Sequence, residues 1–383
     1  MTVLFITHKF PPSTGGMEKF SYELYCSMQQ NMPVHIIAYE GKSSRILWFL
    51  QLKKNIRTML DLHPEINIIH LNDGLMVSFG LWIKKFTGRK VVATLHGLDI
   101  VFPLPYFQRK ILPKFNRLDG IACVSKAGRE AAIQRGIDPD KIVVINNGVD
   151  HELTRSAKSM ALDEKLYSRL NIPRDAFVIT AMGRAVKRKG FSWFVANVLP
   201  HMPSHVVFVL IGPVTSYGKK WWHPMIPSGW VEKMALMMGS ATDEEALKEY
   251  ANQYPGRFIR TGYLPFTDIE KLLQSSGVFV MPNVSVQGDM EGFGLVALEA
   301  VLCGCFVFAA NQEGITDAIY DNKNGFLLPA ENANAWIETL TTFIQNPPDD
   351  GLLERFQEFT LKQFSWDQMA GAYHQWFHSI LAS

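Results

Sequence analysis

The sequence predicts an α/β protein made of two doubly wound parallel-sheet domains in tandem. Its 383 residues exceed the size at which a single hydrophobic core stops growing, about 250–300 residues. Short apolar runs of β type alternate with segments of helical periodicity along the whole chain. Because such β-α-β repetition produces right-handed crossovers between parallel strands, each half of the chain is expected to contain an open parallel sheet.

The first half of the chain contains a series of predicted strands separated by helical segments such as GMEKFSYELYCSMQQ. The strands are TVLFITH, VHIIAY, NIIHL, KVVATLHG, GIACVS and IVVINNGV. After residue 150 the sequence becomes polar and lacks strand signals, which predicts a linker. We therefore assign the N-terminal domain to residues 1–165.

The second half repeats this organisation. Its predicted strands are FVITAMGR, HVVFVLIG, RFIRTGY, VFVMP, CFVFAA and GFLLP. We assign this domain to residues 166–364, and residues 365–383 predict a final amphipathic helix. Doubly wound sheets bind ligands outside the carboxyl ends of their strands, so a binding cleft is expected between the two domains.

The bulk composition predicts a soluble, cytoplasmic, globular chain. Hydrophobic residues make up 47% of it. No apolar stretch approaches the roughly 18 residues of a membrane span, and the N-terminus lacks the basic region of a secretory signal. The cysteines match no zinc or disulfide spacing and are expected to be reduced core residues. They are Cys26, Cys123, Cys303 and Cys305.

The net charge of +2 is unevenly distributed. Residues 1–150 carry 19 Lys and Arg against 12 Asp and Glu, a net charge of +7, which leaves −5 for the rest. The excess lies in two windows, 41–60 and 102–118, in which basic residues alternate with aromatic ones. This mixture is typical of segments that contact an anionic bilayer.

One apolar helical stripe within residues 45–60 leaves two interpretations open. Its members could insert into a membrane surface or pack against the sheet of the first domain. The stripe consists of Phe49, Leu52, Ile56 and Met59.

Several common signatures are missing. No G-x-G-x-x-G follows the first strand, and the loop at Gly212 to Lys220 lacks the spacing and the hydroxyl of a phosphate-binding P-loop. No H-E-x-x-H occurs, and the histidines at strand ends, His8, His70 and His96, lack helical metal spacing. We predict neither a catalytic metal nor a structural one.

Four candidate sites follow predicted strands. Gly15 and Gly16 lie between the first strand and its helix, where the backbone could bind an anion at the helix N-terminus. The alternative is a simple glycine turn. His96 ends a strand within THGLD and is a candidate for the reaction site, although a lone histidine is often only packed.

The third candidate is the loop GRAVKRKG, residues 183–190. It concentrates Arg184, Lys187, Arg188 and Lys189 at the carboxyl end of a strand. Arginine offers a bidentate fork to phosphate and lysine offers a mobile point charge, so the loop predicts a diphosphate ligand. Arg184 and Lys189 are preferred because they flank the turn. The alternative is a solvated basic loop.

The fourth candidate is QGDMEGFGLVALEA, residues 287–300. Glu291 precedes a Gly-Phe-Gly turn, and Glu299 belongs to the helix that follows, so the two carboxylates do not share one helical face. Carboxylates accept bidentate hydrogen bonds from vicinal hydroxyls. We therefore interpret them as two holders of sugar hydroxyls. The alternatives are helix N-terminal charge for Glu291, worth about 0.3–1 kcal/mol, and a surface position for Glu299.

Taken together, these motifs resemble the retaining glycosyltransferases of family 4, which have the GT-B fold of two Rossmann-like domains facing a central cleft. The shared features are GG after the first strand, HG at a later strand end, NGVD before the linker, GR…K in the second domain, and E-x7-E. They span nearly the whole chain in the family's order. The resemblance also implies that the final helix crosses back onto the N-terminal domain.

The resemblance implies roles for the candidate residues. Arg184 and Lys189 would hold the diphosphate of a nucleotide-sugar, helped by backbone N–H groups. Glu299 would bind the ribose and Glu291 the transferred sugar, and His96 would lie beside that sugar. The backbone donors would be Gly16, Phe293, Gly294 and Leu295.

The implied reaction transfers a hexose-type sugar from a UDP- or GDP-sugar to a glycan or lipid-linked acceptor, with same-face displacement and no metal or other cofactor. A role in cell-surface polysaccharide or lipopolysaccharide biosynthesis is expected. Partners would be the donor, the acceptor and the inner face of an anionic membrane, but not nucleic acid. A GT-B sugar-nucleotide 2-epimerase and a non-catalytic binding protein stay open as alternatives.

One segment departs from the family pattern. Residues 215–254 are longer than the family's usual helix and contain Trp221, Trp222 and Trp230. A lid, an interface, an acceptor subsite and core packing are all compatible with such a segment.

Overall fold

A computed structural model describes residues 1–42, 44–153, 163–214 and 243–383. The chain forms two compact units, residues 1–149 with 364–383, and residues 150–363. The tryptophan-rich part of segment 215–254 lies outside the described residues, so its predicted roles stay predictions.

The first unit contains a six-stranded parallel sheet in the order β2-β1-β3-β4-β5-β6. Its strands are β1 (Thr2–Thr7), β2 (Val34–Ala38), β3 (Ile66–Leu71), β4 (Lys90–Leu95), β5 (Gly120–Cys123) and β6 (Ile142–Val144). Every residue of β1 is buried. Near-continuous burial is typical of parallel strands covered by helices on both faces. The strand order reverses between β1 and β3, which makes the carboxyl ends of these strands the expected ligand position.

The helices of the first unit connect these strands. They are α1 (Gly16–Gln29), α2 (Arg45–Leu62), α3 (Val77–Thr87), α4 (Leu98–Val101) and α5 (Lys126–Gln134), with the C-terminal α14 (Trp366–Ala382) described below. In α2, Leu52 and Ile56 are fully buried, whereas Phe49 and Met59 are half-buried. The apolar stripe of this helix therefore packs against the first unit, as one of the two interpretations predicted. The exposed apolar residues of α2 are others, Ile46, Leu47, Leu50 and Leu62.

The C-terminal helix α14 packs against α1. Its buried hydroxyl, Tyr373 Oη, lies 2.8 Å from Thr94 Oγ1, which also lies 2.8 Å from His70 Nε2. Burial, followed by the charge of His96, lowers the pKa of His70 to about 3, so the imidazole stays neutral within this chain of hydrogen bonds. The helix is thus attached to β3 and β4 by polar contacts as well as by apolar packing.

Replacing Tyr373 by phenylalanine is expected to destabilise the first unit by about 1–2 kcal/mol, because Thr94 loses a buried hydrogen-bond partner and its bond to His70 loses that support. Urea unfolding of the full chain measures this change. Tyr106→Phe is the matched control, because Tyr106 is 69% exposed, and it should change stability by less than about 0.5 kcal/mol. Equal stability of the Tyr373 variant and wild type would contradict the role of this network.

The second unit contains another six-stranded parallel sheet, in the order β12-β11-β10-β7-β8-β9. Its strands are β7 (Phe177–Met182), β8 (Val206–Ile211), β9 (Phe258–Gly262), β10 (Val278–Met281), β11 (Phe306–Ala310) and β12 (Phe326–Leu328). Here the strand order reverses between β7 and β10. The loops that follow these two strands therefore occupy the position at which doubly wound sheets bind ligands.

The described helices of the second unit flank this sheet. They are α6 (Glu164–Leu170), α7 (Phe191–Asn197), α8 (Glu244–Gln253), α9 (Phe266–Gln274), α10 (Leu295–Leu302), α11 (Ile315–Ala318), α12 (Ala333–Gln345) and α13 (Asp350–Gln363). Among the described residues, no helix combines the length and the apolar composition needed to cross a bilayer.

The boundary between the units differs from the predicted position at residue 165. The second unit begins at Asp150, and α6, which crosses the predicted boundary, belongs with its core. Tyr167 is buried and its hydroxyl donates to the Ser275 carbonyl at 3.1 Å. Lys271 pairs with Asp163 at 2.9 Å. A polar composition around α6 suggested a linker, whereas tertiary contacts place this segment in the second unit. At the other end, Phe364 to Ser383 group with the first unit.

Candidate functional site

The basic loop after β7 is held close to the loop after β10. It ends in a short 3₁₀ turn, Lys187–Lys189, followed by Gly190 with φ 65°. A Cβ added at Gly190 would lie 1.9 Å from the Pro282 carbonyl oxygen, so glycine is required both for the backbone angle and for the close approach. The Val284 amide also donates to the Arg188 carbonyl at 3.0 Å. These contacts bring two sequence-distant loops together.

Three donors converge on one carboxylate oxygen at this junction. Glu291 Oε2 lies 2.5 Å from Arg188 Nη1, 2.7 Å from Lys189 Nζ and 3.1 Å from Asn283 Nδ2. Arg188 Nε in turn lies 3.0 Å from Asp289 Oδ1. Side-chain exposure is 16% for Arg188, 11% for Lys189 and 12% for Glu291. This cluster is therefore largely removed from solvent, where charge pairs interact strongly.

The electrostatics of the cluster keep Glu291 ionised. Burial acts to raise the pKa of Glu291, but the charges of Arg188 and Lys189 and the hydrogen bonds it accepts outweigh burial and lower the pKa to about 2. Burial lowers the pKa of Lys189 despite the opposing charge of Glu291, and the nearby charges of Arg188 and Arg184 add to this decrease. An anionic ligand beside Lys189 would favour its protonated form.

The loop after β11 fixes the backbone of Glu291. The Glu291 amide donates to Glu313 Oε2 at 2.6 Å, and the Gly314 amide donates to the Glu291 carbonyl at 3.1 Å. A Cβ at Gly314 would lie 2.1 Å from the Gly292 carbonyl oxygen, so the two loops pack backbone to backbone. Burial raises the pKa of Glu313. Its own backbone has φ 50°, an uncommon angle outside glycine.

The Gly-Phe-Gly turn leads directly into α10. Gly294 is the N-cap residue with φ 102°, and Phe293 is buried. Leu295 begins the helix. Glu299 lies within α10 and is also buried. The placement of Glu291 in a loop and of Glu299 in the helix agrees with the sequence interpretation of this segment.

Arg184 lies at the start of the basic loop and is exposed. Its charge contributes to lowering the pKa of Lys189, so the two preferred cations share one electrostatic environment. Arg188 was the less favoured basic residue from sequence, yet it makes the central contacts of the cluster. A loop sequence does not reveal which side chains a 3₁₀ turn directs inward.

Asp289, Asn283 and Glu313 were not predicted as site residues. Asp289 lies two residues before Glu291, and Asn283 lies two residues after the end of β10, so both had a positional signal in the sequence. Glu313 has no such signal, because its contact with Glu291 joins residues that are 22 positions apart. We interpret these three as residues that position Arg188 and Glu291.

In the first unit, His96 follows β4 in a tightly bonded loop. Its Nε2 lies 2.9 Å from the Asn72 carbonyl oxygen, and its ring packs edge-on against Phe20 with centroids 4.6 Å apart. The buried Asp99 accepts hydrogen bonds from the backbone amides of His96, Gly97 and Gly74. These contacts fix the loops after β3 and β4 relative to each other.

Gly15 and Gly16 lie at the start of α1, Gly15 as N-cap. The Glu18 carboxylate lies against Gly15, since a Cβ added there would be 2.5 Å from Glu18 Oε2. Glu18 also pairs with Lys9 at 3.3 Å. Binding of a phosphate at this helix end would bring two negative charges together unless the Glu18 side chain turned away.

Both units match models of glycosyltransferase families. Residues 163–363 match the family described as Glycosyl transferases group 1, and residues 14–153 match Glycosyltransferase Family 4. The chain has the GT-B fold. It belongs to the glycosyl transferases group 1 family, with an N-terminal region of the family 4 type.

Solved structures share this fold over the whole chain. HepE of Anabaena in complex with UDP-glucose superposes with a TM-score of 0.73 at 20% identity, covering 99% of this chain and 100% of that one. The sucrose-phosphate synthase of Thermosynechococcus elongatus superposes with a TM-score of 0.73 at 19% identity, covering 100% and 99%. At these identities the likeness concerns the fold.

Among sequence relatives, a D-inositol 3-phosphate glycosyltransferase of Streptomyces scabiei is 27% identical over 61% of this chain and 48% of its own length. The matched region thus spans about half of that relative. A phosphatidyl-myo-inositol mannosyltransferase of Mycobacterium leprae is 22% identical over 91% of this chain and 82% of its own length.

Proposed function

We propose that the chain is a retaining hexosyltransferase that uses a nucleoside-diphosphate sugar and transfers its sugar to a glycan or lipid-linked acceptor in cell-surface polysaccharide or lipopolysaccharide biosynthesis. The observation that carries this proposal is the cluster of Arg188, Lys189 and Glu291 at the reversal point of the second sheet. It combines phosphate-binding cations with a hydroxyl-binding carboxylate at the expected ligand position.

The arrangement of Glu291 supports a role in holding the transferred sugar. Within the described residues, its side-chain contacts with Arg188, Lys189 and Asn283 are all made through Oε2. The second carboxylate oxygen, Oε1, can then accept hydrogen bonds from sugar hydroxyls. Because its pKa is lowered to about 2, Glu291 is an acceptor and not a proton donor near neutral pH.

Lys189 and the exposed Arg184 are proposed to bind the donor diphosphate, with the backbone of Phe293 to Leu295 at the start of α10 as further donors. A helix N-terminus carries a partial positive charge of about half a unit, which favours an anion there. Glu299, within the same helix, is proposed to bind the nucleotide ribose, and His96 to lie beside the transferred sugar.

In the proposed reaction, an acceptor hydroxyl attacks the anomeric carbon on the face from which the diphosphate leaves. The bond from that carbon to the phosphate oxygen breaks, and a leaving phosphate oxygen takes the hydroxyl proton. The protein contributes electrostatic stabilisation of the developing negative charge, through Lys189, Arg184 and the α10 N-terminus. No metal is required in this scheme.

The charge of the first unit supports an acceptor at an anionic membrane. Residues 1–150 carry a net +7, and α2 exposes Ile46 and Leu50 at 73% and 75%, beside basic residues of the same helix. The name of the Mycobacterium leprae relative, a phosphatidyl-myo-inositol mannosyltransferase, agrees with a lipid-linked acceptor. We propose peripheral attachment through this helix.

A thermal-shift screen with UDP-, GDP- and ADP-sugars tests the donor assignment. One nucleotide class at 100 times its dissociation constant should stabilise the protein by about 2.7 kcal/mol. Glu299→Ala should lose most of this stabilisation, because the ribose loses its carboxylate partner. Glu338→Ala, at an exposed position of α12, is the control and should retain it. Equal responses of both variants would contradict the role of Glu299.

A further inference from the structure

A second polar cluster lies in the first unit, at the opposite edge of its sheet from His96. His35 lies on the edge strand β2, His63 is the C-cap residue of α2, and Glu65 immediately precedes β3. His96 follows the carboxyl end of β4. The strands are parallel, so a residue that precedes β3 lies at the amino-terminal edge of the sheet. This cluster takes no part in the proposed transfer reaction.

Both histidines approach the same carboxylate oxygen. Glu65 Oε1 lies 3.2 Å from His63 Nδ1 and 3.6 Å from His35 Nε2. The three candidate ligand atoms all lie within 4.8 Å of one another. Ligands at 2.0–2.2 Å from a tetrahedral zinc ion are separated from each other by roughly 3.3–3.6 Å. The two observed separations therefore already approach those of a metal site.

We propose that His35, His63 and Glu65 bind a divalent transition-metal ion of the zinc type. Two imidazoles and one carboxylate are a ligand set that zinc favours, with water in the remaining position. Side-chain exposure is 24% for His35, 35% for His63 and 52% for Glu65, so an ion can enter from solvent. Hard cations such as magnesium prefer all-oxygen sites and are not expected here.

The backbone around the cluster is already fixed. Leu4 and His35 are register partners between β1 and β2. The His63 amide donates to the Met59 carbonyl at 3.0 Å. The Ile66 amide donates to the His63 carbonyl at 3.2 Å, which closes the turn that carries Glu65. Little conformational entropy is then lost when a metal binds, which favours affinity.

Simple ion pairing explains the cluster less well. Ion pairs of an exposed carboxylate contribute little to stability because solvent screens them. The imidazole rings of His35 and His63 lie with centroids 3.8 Å apart and planes tilted by 33°, so both rings are close to the same carboxylate. A metal ion would use both imidazoles and Glu65 as ligands at once. It would connect the edge strand β2 to the turn between α2 and β3.

Zinc titration of the chelator-treated full chain, with a chromophoric chelator as competitor, tests the proposal. Wild type should bind one equivalent of zinc with higher affinity than any further equivalent. Zinc should also raise the midpoint of thermal unfolding by a few degrees. His63→Gln and Glu65→Gln should each weaken that binding at least about tenfold and abolish the thermal shift. Magnesium should produce neither effect.

The matched control is His374→Gln. His374 and His378 form another histidine pair, with ring centroids 4.6 Å apart on α14. Replacing His374 should leave the tightly bound equivalent of zinc unchanged. Circular dichroism of each zinc-free variant confirms that it folds, and His63 and Glu65 are exposed enough for their replacement to preserve the core. Unchanged zinc affinity in His63→Gln and Glu65→Gln, or loss only in His374→Gln, would overturn the assignment.

Discussion

Replacing Lys189 by alanine is expected to lower the turnover of sugar transfer about 10²–10³-fold, the effect of removing one preorganised donor from a developing oxyanion. The side chain of Lys189 is 11% exposed, and its Nζ lies 2.7 Å from Glu291 Oε2. The variant would lose both a diphosphate partner and a support for the sugar-binding carboxylate. Steady-state kinetics with the stabilising nucleotide-sugar, at saturating donor, measure the effect as a change in kcat.

The same loop provides a control for the Lys189 prediction. Lys187→Ala removes an equal charge from an exposed position of GRAVKRKG, and we expect it to reduce turnover by less than tenfold. The fold of the Lys189 variant should persist, because Arg188 still donates to Glu291 at 2.5 Å. A wild-type rate for Lys189→Ala, or equal losses in both variants, would refute the diphosphate assignment.

Replacing Gly190 by alanine is expected to destabilise the second unit by on the order of 3 kcal/mol. The new Cβ would lie 1.9 Å from the Pro282 carbonyl oxygen, and the residue has φ 65°. The strain of a positive φ therefore adds to overpacking against backbone that cannot rotate away. Because this contact holds the loops after β7 and β10 together, activity should fall with stability. Urea unfolding and initial rates measure both.

Gly256→Ala separates the effect of the positive φ from the effect of the steric contact in the Gly190 variant. Gly256 lies in the same unit and has φ 76°, but a Cβ there would meet nothing within 4 Å. We expect it to cost about 1–2 kcal/mol through the backbone angle alone and to leave the rate unchanged. If Gly190→Ala were no more damaging than Gly256→Ala, the proposed close packing of the two loops would be wrong.

The alternating strands and helices were predictable because each parallel strand is a short buried apolar run. Every predicted strand, from TVLFITH to GFLLP, overlaps a strand of the structure. The domain boundary differs from the predicted one because a polar segment does not show which core it joins, whereas the ion pair of Asp163 with Lys271 connects the residues just before 165 to the second unit. Hydrophobic periodicity indicates which residues of an element are buried, but it does not show which core they pack against.

The candidate site could be predicted where its charged residues lie close together in the sequence. Glu291 and the basic loop stand out because charged residues follow strand ends. The contact between Glu313 and the Glu291 backbone depends on how the loop after β11 folds, and so does the choice of Arg188 over Arg184 as the partner of Glu291. Sequence spacing does not show which way these side chains point.

The prediction that no structural metal is bound rested on sequence spacing and considered His8, His70 and His96, the histidines at strand ends. The newly proposed ligands include His35 on β2 and Glu65, which precedes β3, and only the folded chain brings these two within 3.6 Å.

The anomeric configuration of the product distinguishes retaining transfer from inverting transfer and from epimerisation. The full chain would be incubated with the nucleotide-sugar that stabilises it most and with a panel of alkyl glycoside acceptors, and the product would be analysed by proton NMR. We predict a new glycosidic bond with the same anomeric configuration as the donor, formed in the presence of a chelator. An inverted configuration, or an epimerised nucleotide-sugar without transfer, would contradict the account.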